Sequence, residues 1–251
     1  LSTVAQTSPD PFNIESPWYT LGSAYLKVGD VQAARDLVRT RMEGDETPEA
    51  LLIKGSLHLA EKRYGDALTL LERARSANPQ LPMASSQIGV ALLYEGRREP
   101  AAEAFRAELA INSRDFNANA FLGWLLEQDG YSERALELLH AAHGLQESDT
   151  GVKYLLAQSH ATQRNWQEVA TLLEDVTQVH PEFTPAHVML ARAYAKLKRT
   201  DLFRRQQGII RRLNEEQQER DLAGVDQLYD GKVLALPSKG PDRRSPAQPR
   251  K

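Results

Sequence analysis

Chemistry needs particular side chains at particular spacings, and this chain offers few. The nearest approach to a metal site is His140 and His143, three positions apart. No third histidine or carboxylate stands at ligand spacing from them, and zinc takes three or four protein donors. They read instead as a solvated helix end, where imidazoles suit the negative end of the helix dipole. Adjacent carboxylates occur at Glu174-Asp175 and Glu215-Glu216, on stretches expected to be exposed helix. General acid–base catalysis needs two groups converging on one pocket, and nothing in the pattern suggests that. No glycine-rich phosphate loop, nucleophile elbow or His-Glu-x-x-His is found. The chain has no cysteine, which removes disulfides, thiolate metal sites and cysteine nucleophiles. The expectation is therefore no catalytic residue, no metal and no cofactor.

Composition narrows the partners. With 41% hydrophobic and 26% charged residues the chain reads as a folded domain. A net charge of −3 gives no overall field for nucleic acid or an anionic membrane. No apolar run reaches the roughly 18 residues a membrane helix needs. The opening Leu1-Ser2-Thr3-Val4-Ala5-Gln6 reads as what remains beside a removed signal peptide, which leans to export. A cytoplasmic chain is the alternative. Oligomeric state is not legible.

The elements that must position any site are legible from a repeat. Small residues precede apolar runs at Gly22, Gly55, Gly89, Gly123, Ala157 and Ala191, spaced by 33 residues once and 34 four times. Twelve positions further on stand Ala34, Ala67, Ala101 and Ala135, then Val169 and Phe203. Sixteen further on stand Val38, Leu71, Phe105, Leu139 and Leu173, with Gln207 breaking the column. Lys54 is the exception in the apolar column just before the small residues. Each unit reads as two antiparallel helices. In the fourth, Ala118 to Gln128 has helical spacing, Asp129-Gly130 interrupts it, and Ser132 to Gly144 resumes it. Ser16-Pro17, Thr47-Pro48 and Thr184-Pro185 each offer a hydroxyl N-cap before a proline. Small residues allow close helix crossing, and one hairpin cannot bury its apolar stripe alone, so neighbours must stack. His58 and His160 share the register position of Tyr25, which makes them packing residues.

This pattern resembles the tetratricopeptide repeat family. Trp18, Leu21, Gly22, Tyr25 and Ala34 carry it in the first unit, Gly55, Ala67, Ala74 and Pro79 in the second, and Gly89, Ala101 and Phe105 in the third. The resemblance implies an all-α, right-handed α-solenoid of about six antiparallel helix-turn-helix repeats, over 15–47, 48–81, 82–115, 116–149, 150–183 and 184–217. Residues 1–14 are expected to be extended. From Asp201 the last helix turns polar, as the cap of a solenoid should, and 221–251 reads as a disordered or partner-bound tail.

The resemblance also implies that the first helix of each hairpin lines a concave groove through its second, fifth, ninth, twelfth and thirteenth positions. Carried over, these include Leu52 and Leu59, then Met83, Val90, Leu93 and Tyr94. They continue with Trp124, Glu127 and Gln128, then Tyr154, Gln158, Ala161 and Thr162, and in the last unit Val188, Arg192 and Lys196. No cluster of lysine, arginine and asparagine stands at the fifth and ninth positions, so the carboxylate clamp by which some relatives hold chaperone C-termini is not expected. Val90, Leu93, Tyr94, Trp124 and Tyr154 instead suggest an apolar, aromatic groove that takes a peptide or protein segment. The same rings could simply pack between neighbouring helices. A non-catalytic interaction scaffold is the expected function, with an accessory array of a larger enzyme or secretion machine as the alternative. Arg204, Arg205, Arg211 and Arg212 form a basic patch for an acidic partner or nucleic acid, against which stand the flanking Glu215 and Glu216. Apolar residues at Leu228-Tyr229 and Val233 to Leu236 give the tail two readings: folding back into a groove, or ordering on a partner.

Overall fold

The computed structural model describes residues 17–222, with side chains to residue 217. The opening segment, the Ser16 cap and the apolar clusters of the tail lie outside the described residues. Twelve α-helices follow one another with no strand among the described residues. They are α1 (Pro17–Lys27), α2 (Val31–Arg41), α3 (Pro48–Ala60), α4 (Tyr64–Ala77), α5 (Ala84–Tyr94) and α6 (Arg98–Ile111). Then come α7 (Phe116–Gln128), α8 (Ser132–Leu145), α9 (Thr150–Thr162), α10 (Trp166–Val179), α11 (Thr184–Lys196) and α12 (Thr200–Leu222). The fold class is the expected one, an all-α array of helical hairpins. It divides into two compact units whose boundary falls within α7, after Phe121.

In the first unit α1 packs on α2 and α3, α3 on α4 and α5, and α5 on α6. In the second, α9 packs on α8 and α10, and α11 on α10 and α12. The small-residue column is what lets paired helices close. A β-carbon built on Gly55 would lie 2.6 Å from Leu71 Cγ, one on Gly89 2.5 Å from the Phe105 ring, and one on Gly123 2.9 Å from Leu139 Cγ. The facing residues are therefore the column sixteen positions on, with the alanine column contributing backbone: Ala67 and Ala135 carbonyls lie 3.4 and 3.2 Å away. Gly22 differs, because Ile53 of the next hairpin and Leu37 fill its surroundings. Val38 is accordingly only half-buried, and Leu37 takes its place in the core.

The turn inside each hairpin repeats as well. Gly29, Lys62, Gly96, Gly130, Arg164 and Lys198 all have φ between 58° and 87°, in the left-handed region. In each turn the next residue donates its N–H back into the helix, as from Gly96 to Leu93 O (2.9 Å) and Arg97 to Leu92 O (2.8 Å). This is the paired bonding of a Schellman cap, which satisfies carbonyls that a helix end leaves open.

Caps begin the helices less uniformly. Asp30, Thr47 and Asp149 accept from the N–H of Ala33, Ala50 and Val152 at 2.9, 3.4 and 2.8 Å. The expected Thr184 cap is corrected: α11 already includes Thr184, Phe183 precedes it, and no side-chain cap bond forms. α5 is capped from outside its own segment. Glu108 of α6 is fully buried and accepts from the N–H groups of Met83 (2.7 Å) and Ser86 (3.2 Å). Lys54, the exception in its column, donates to the carbonyls of Asp45 (2.5 Å) and Glu43 (3.5 Å) and so secures the α2–α3 connection.

Candidate functional site

The groove positions separate into three groups once packing is known. Leu52 and Leu93 are 1% and 2% exposed, so these two belong to the core and offer nothing to a partner. This corrects their expected groove role, because burial removes both from any surface a partner could reach. Trp124 is 9% exposed, and Tyr154 is half-buried against the second unit's core with its ring edge-on to Phe183 at 5.0 Å. Trp124 therefore serves chiefly in packing, while Tyr154 packs on one side and leaves part of its ring accessible. Leu59, Met83, Val90 and Gln158 are half-buried, and Tyr94 is exposed.

In the first unit the accessible part of this surface centres on two rings. Tyr94, at the end of α5, stacks on Tyr64, the first residue of α4, with centroids 4.8 Å apart and planes 2° from parallel. Burial raises the pKa of both phenols, so both stay neutral and apolar-faced.

In the second unit several groove positions converge on one open cleft of about 850 Å³. The end of α7 supplies Glu127 and Gln128, and α9 supplies Gln158, Ala161 and Thr162. From α11 come Met189, Arg192 and Lys196. Arg164 in the α9–α10 turn and Trp166 at the start of α10 complete the lining. Glu127 is already engaged, accepting from the hydroxyls of buried Ser159 and of Thr162, each at 2.9 Å. The Arg192 guanidinium lies over the Trp166 ring, 5.3 Å from its centroid. Among the described residues, neither Arg164, Arg192 nor Lys196 has a carboxylate partner.

Arg164, Trp166 and Met189 were not among the expected groove positions. The missed signal lies in the register. Trp166 and Tyr64 each stand nine positions after the small-residue column, and Lys196 and Tyr94 each stand five after it. A ring opening one hairpin's second helix thus meets the end of the next hairpin's first helix, in both units. Where Tyr64 and Tyr94 stack shut, Trp166 and Lys196 border an open cleft.

His140 is exposed, with its ring edge-on to His160 at 5.9 Å, and among the described residues no group of three potential ligands gathers. Burial, and secondarily His140, lowers the His160 pKa. The basic patch on α12 is internally balanced. Arg204 pairs with Asp201 (3.9 Å), Arg211 with Glu215 (4.0 Å) and Arg212 with Glu216 (3.4 Å), leaving Arg205 among the four without such a pair. No described helix is long and apolar enough to cross a membrane.

Successive helical hairpins joined by capped left-handed turns define a helical-repeat fold. Residues 19–82 match the family model of the tetratricopeptide repeat, and hairpins of the same form recur to α12. None of the curated proteins matches. Among solved structures, PilF of Pseudomonas aeruginosa is similar at a TM-score of 0.66 and 16% identity, over 82% of this chain and 96% of that one. TTC0263, a thermophilic repeat protein of Thermus thermophilus, gives 0.54 at 18% identity, over 72% of this chain and 100% of its own. A chain of the Cut9–Hcn1 hetero-tetramer of the APC/C gives 0.61 at 18% identity over 81% of this chain, which spans only 40% of that longer one. At these identities the likeness is one of fold.

Proposed function

We propose that this chain is a non-catalytic scaffold that holds a segment of another protein against the first helices of its hairpins. The observation that carries the reading is the second-unit cleft, where groove positions of α7, α9 and α11 come together around one open volume. Grooves that hold a peptide segment combine apolar pockets with polar groups that fix its backbone, and here Trp166, Met189 and Ala161 lie beside Gln158, Gln128 and Arg192. The hetero-tetramer containing a chain of similar fold is an assembly of the kind meant. An accessory role within a larger protein is compatible with that chain's greater length, and the same cleft would serve it.

The test uses a photo-crosslinking amino acid at Gln158 in the cleft and, separately, at exposed Glu137 on α8. Both proteins are irradiated in extract of the source cell. A discrete adduct from position 158 that is missing from position 137 is the expected result. The reading fails if both positions give the same adducts or position 158 gives none.

A further inference from the structure

The cleft's charge says what kind of segment it holds. Resting on the scaffold reading above, we propose that the α7–α9–α11 cleft takes an acidic peptide segment, with an Asp or Glu carboxylate bound by Arg192 and Lys196 and a further acidic group met by Arg164. Three cations border the cleft against one carboxylate, Glu127, and that one is already committed to Ser159 and Thr162. A concave site with an excess of one sign concentrates ligands of the other.

Arg192 is set in advance. Its guanidinium lies over the Trp166 ring, 5.3 Å from the centroid, and this cation–π attraction restrains it, so binding costs less side-chain freedom than it would for a solvated arginine. A planar guanidinium can offer two parallel N–H donors to a carboxylate, which gives direction as well as attraction. Lys196 is one turn further along α11 and supplies a second, flexible cation. Gln128 and Gln158 can donate to and accept from the backbone of an extended segment, and about 850 Å³ is room for several residues rather than one ion.

Arg164 adds a separate argument. It has φ +63° at the turn position where Gly29, Gly96 and Gly130 stand in other hairpins, a conformation that an L side chain adopts at a cost. Lys62 and Lys198 share that conformation, and a cation there also suits the helix dipole. Arg164 differs from both in lining the cleft. Glycine at 164 should therefore improve the fold while weakening the site.

A protein carboxylate is favoured over nucleic acid because three arginines of the basic patch on α12, Arg204, Arg211 and Arg212, are paired with carboxylates of their own helix. A tracked phosphate backbone would need a longer run of free cations.

The test selects peptides from a phage-displayed random dodecapeptide library on the full chain, then measures the enriched peptides by fluorescence anisotropy. Expected are sequences with a recurring Asp or Glu, whose affinity falls about tenfold or more in Arg192→Ala/Lys196→Ala. In Arg164→Gly their affinity should fall severalfold while the thermal midpoint rises, an opposition that loss of structure cannot produce. Enriched peptides without acidic residues, bound equally by the variants, would overturn the acidic assignment and leave the scaffold reading standing. No enrichment at all would sink both. An oligothymidylate strand that binds as tightly as the best peptide, and is lost in the same variants, would overturn the carboxylate assignment in favour of phosphate.

Discussion

Glu108 shows how a single residue can set a pH dependence. It stands nineteen positions after Gly89, in a column filled by Ala74, Ala142, Val176 and Ile210 in four other units and by Arg41 in the first, so its carboxyl falls where a core side chain stands in most units. Burial raises its pKa from 4.5 to about 7, with nearby Asp115 pushing the same way against the N–H bonds from Met83 and Ser86. The folded chain therefore keeps this proton to higher pH than the unfolded chain does. The stability contributed by the group is full below pH 4.5 and is lost as pH rises through about 7, on the order of 2–3 kcal/mol. Asp115 is raised too, chiefly by burial, and adds to the same slope. Urea denaturation of the wild type should weaken between pH 5 and pH 8, and Glu108→Gln should flatten much of that fall; an unchanged slope in the variant would assign it elsewhere. Gly89 presents the opposite case of a residue defined by what it lacks. Because the fully buried Phe105 ring has nowhere to go, Gly89→Ala should cost about 1–3 kcal/mol by urea denaturation.

At the scale of the element, the hairpin turn is the recurring device and its chemistry is only half optimised. Three of the six left-handed turn positions are glycine and three are Lys62, Arg164 and Lys198. Lys62→Gly and Lys198→Gly should each raise stability by about 0.5–1 kcal/mol, the relieved strain being partly offset by a freer unfolded chain. The shift in thermal midpoint checks this, and a fall in both variants would mean the lysine side chains stabilise the cap more than the strain opposes it. α12 is a different element from the rest, 23 residues long against 11–14 in the others. It attaches through buried His187 of α11, whose Nδ1 meets Gln206 Oε1 at 2.7 Å and whose Nε2 meets Pro181 O at 2.9 Å. The Pro181 carbonyl can only accept, so Nε2 carries the ring proton and Nδ1 accepts from Gln206 once its amide is turned to present the NH2. Contacts at both nitrogens hold one ring orientation, and with it the register of α11 on α12.

For the whole molecule, stability should be regional. Stacked repeats are stabilised by their own packing and that of their neighbours, so damage spreads by steps rather than all at once. In native-state hydrogen exchange, Gly89→Ala should lower protection most in α5 and α6 and progressively less toward α11 and α12. Equal loss in every helix would show one cooperative unit instead.

The period of 33–34 residues, the two helices per repeat and the all-α class were legible without coordinates, because helix formation and close crossing leave local marks: a small residue, an apolar column, a glycine or proline at fixed offset. The family resemblance rested on those same marks. Register also named most of the residues that line the second-unit cleft, since a helical period fixes which side chains share a face. It could not tell how open that face would be. Leu52 and Leu93 are shut away while Gln158 and Arg192 border a cleft. The same holds for Glu108, whose partners are backbone groups more than twenty residues away, and for Arg192, whose ring neighbour Trp166 belongs to a preceding hairpin. Pairings of this kind depend on distances between elements, and those are decided only when the hairpins pack.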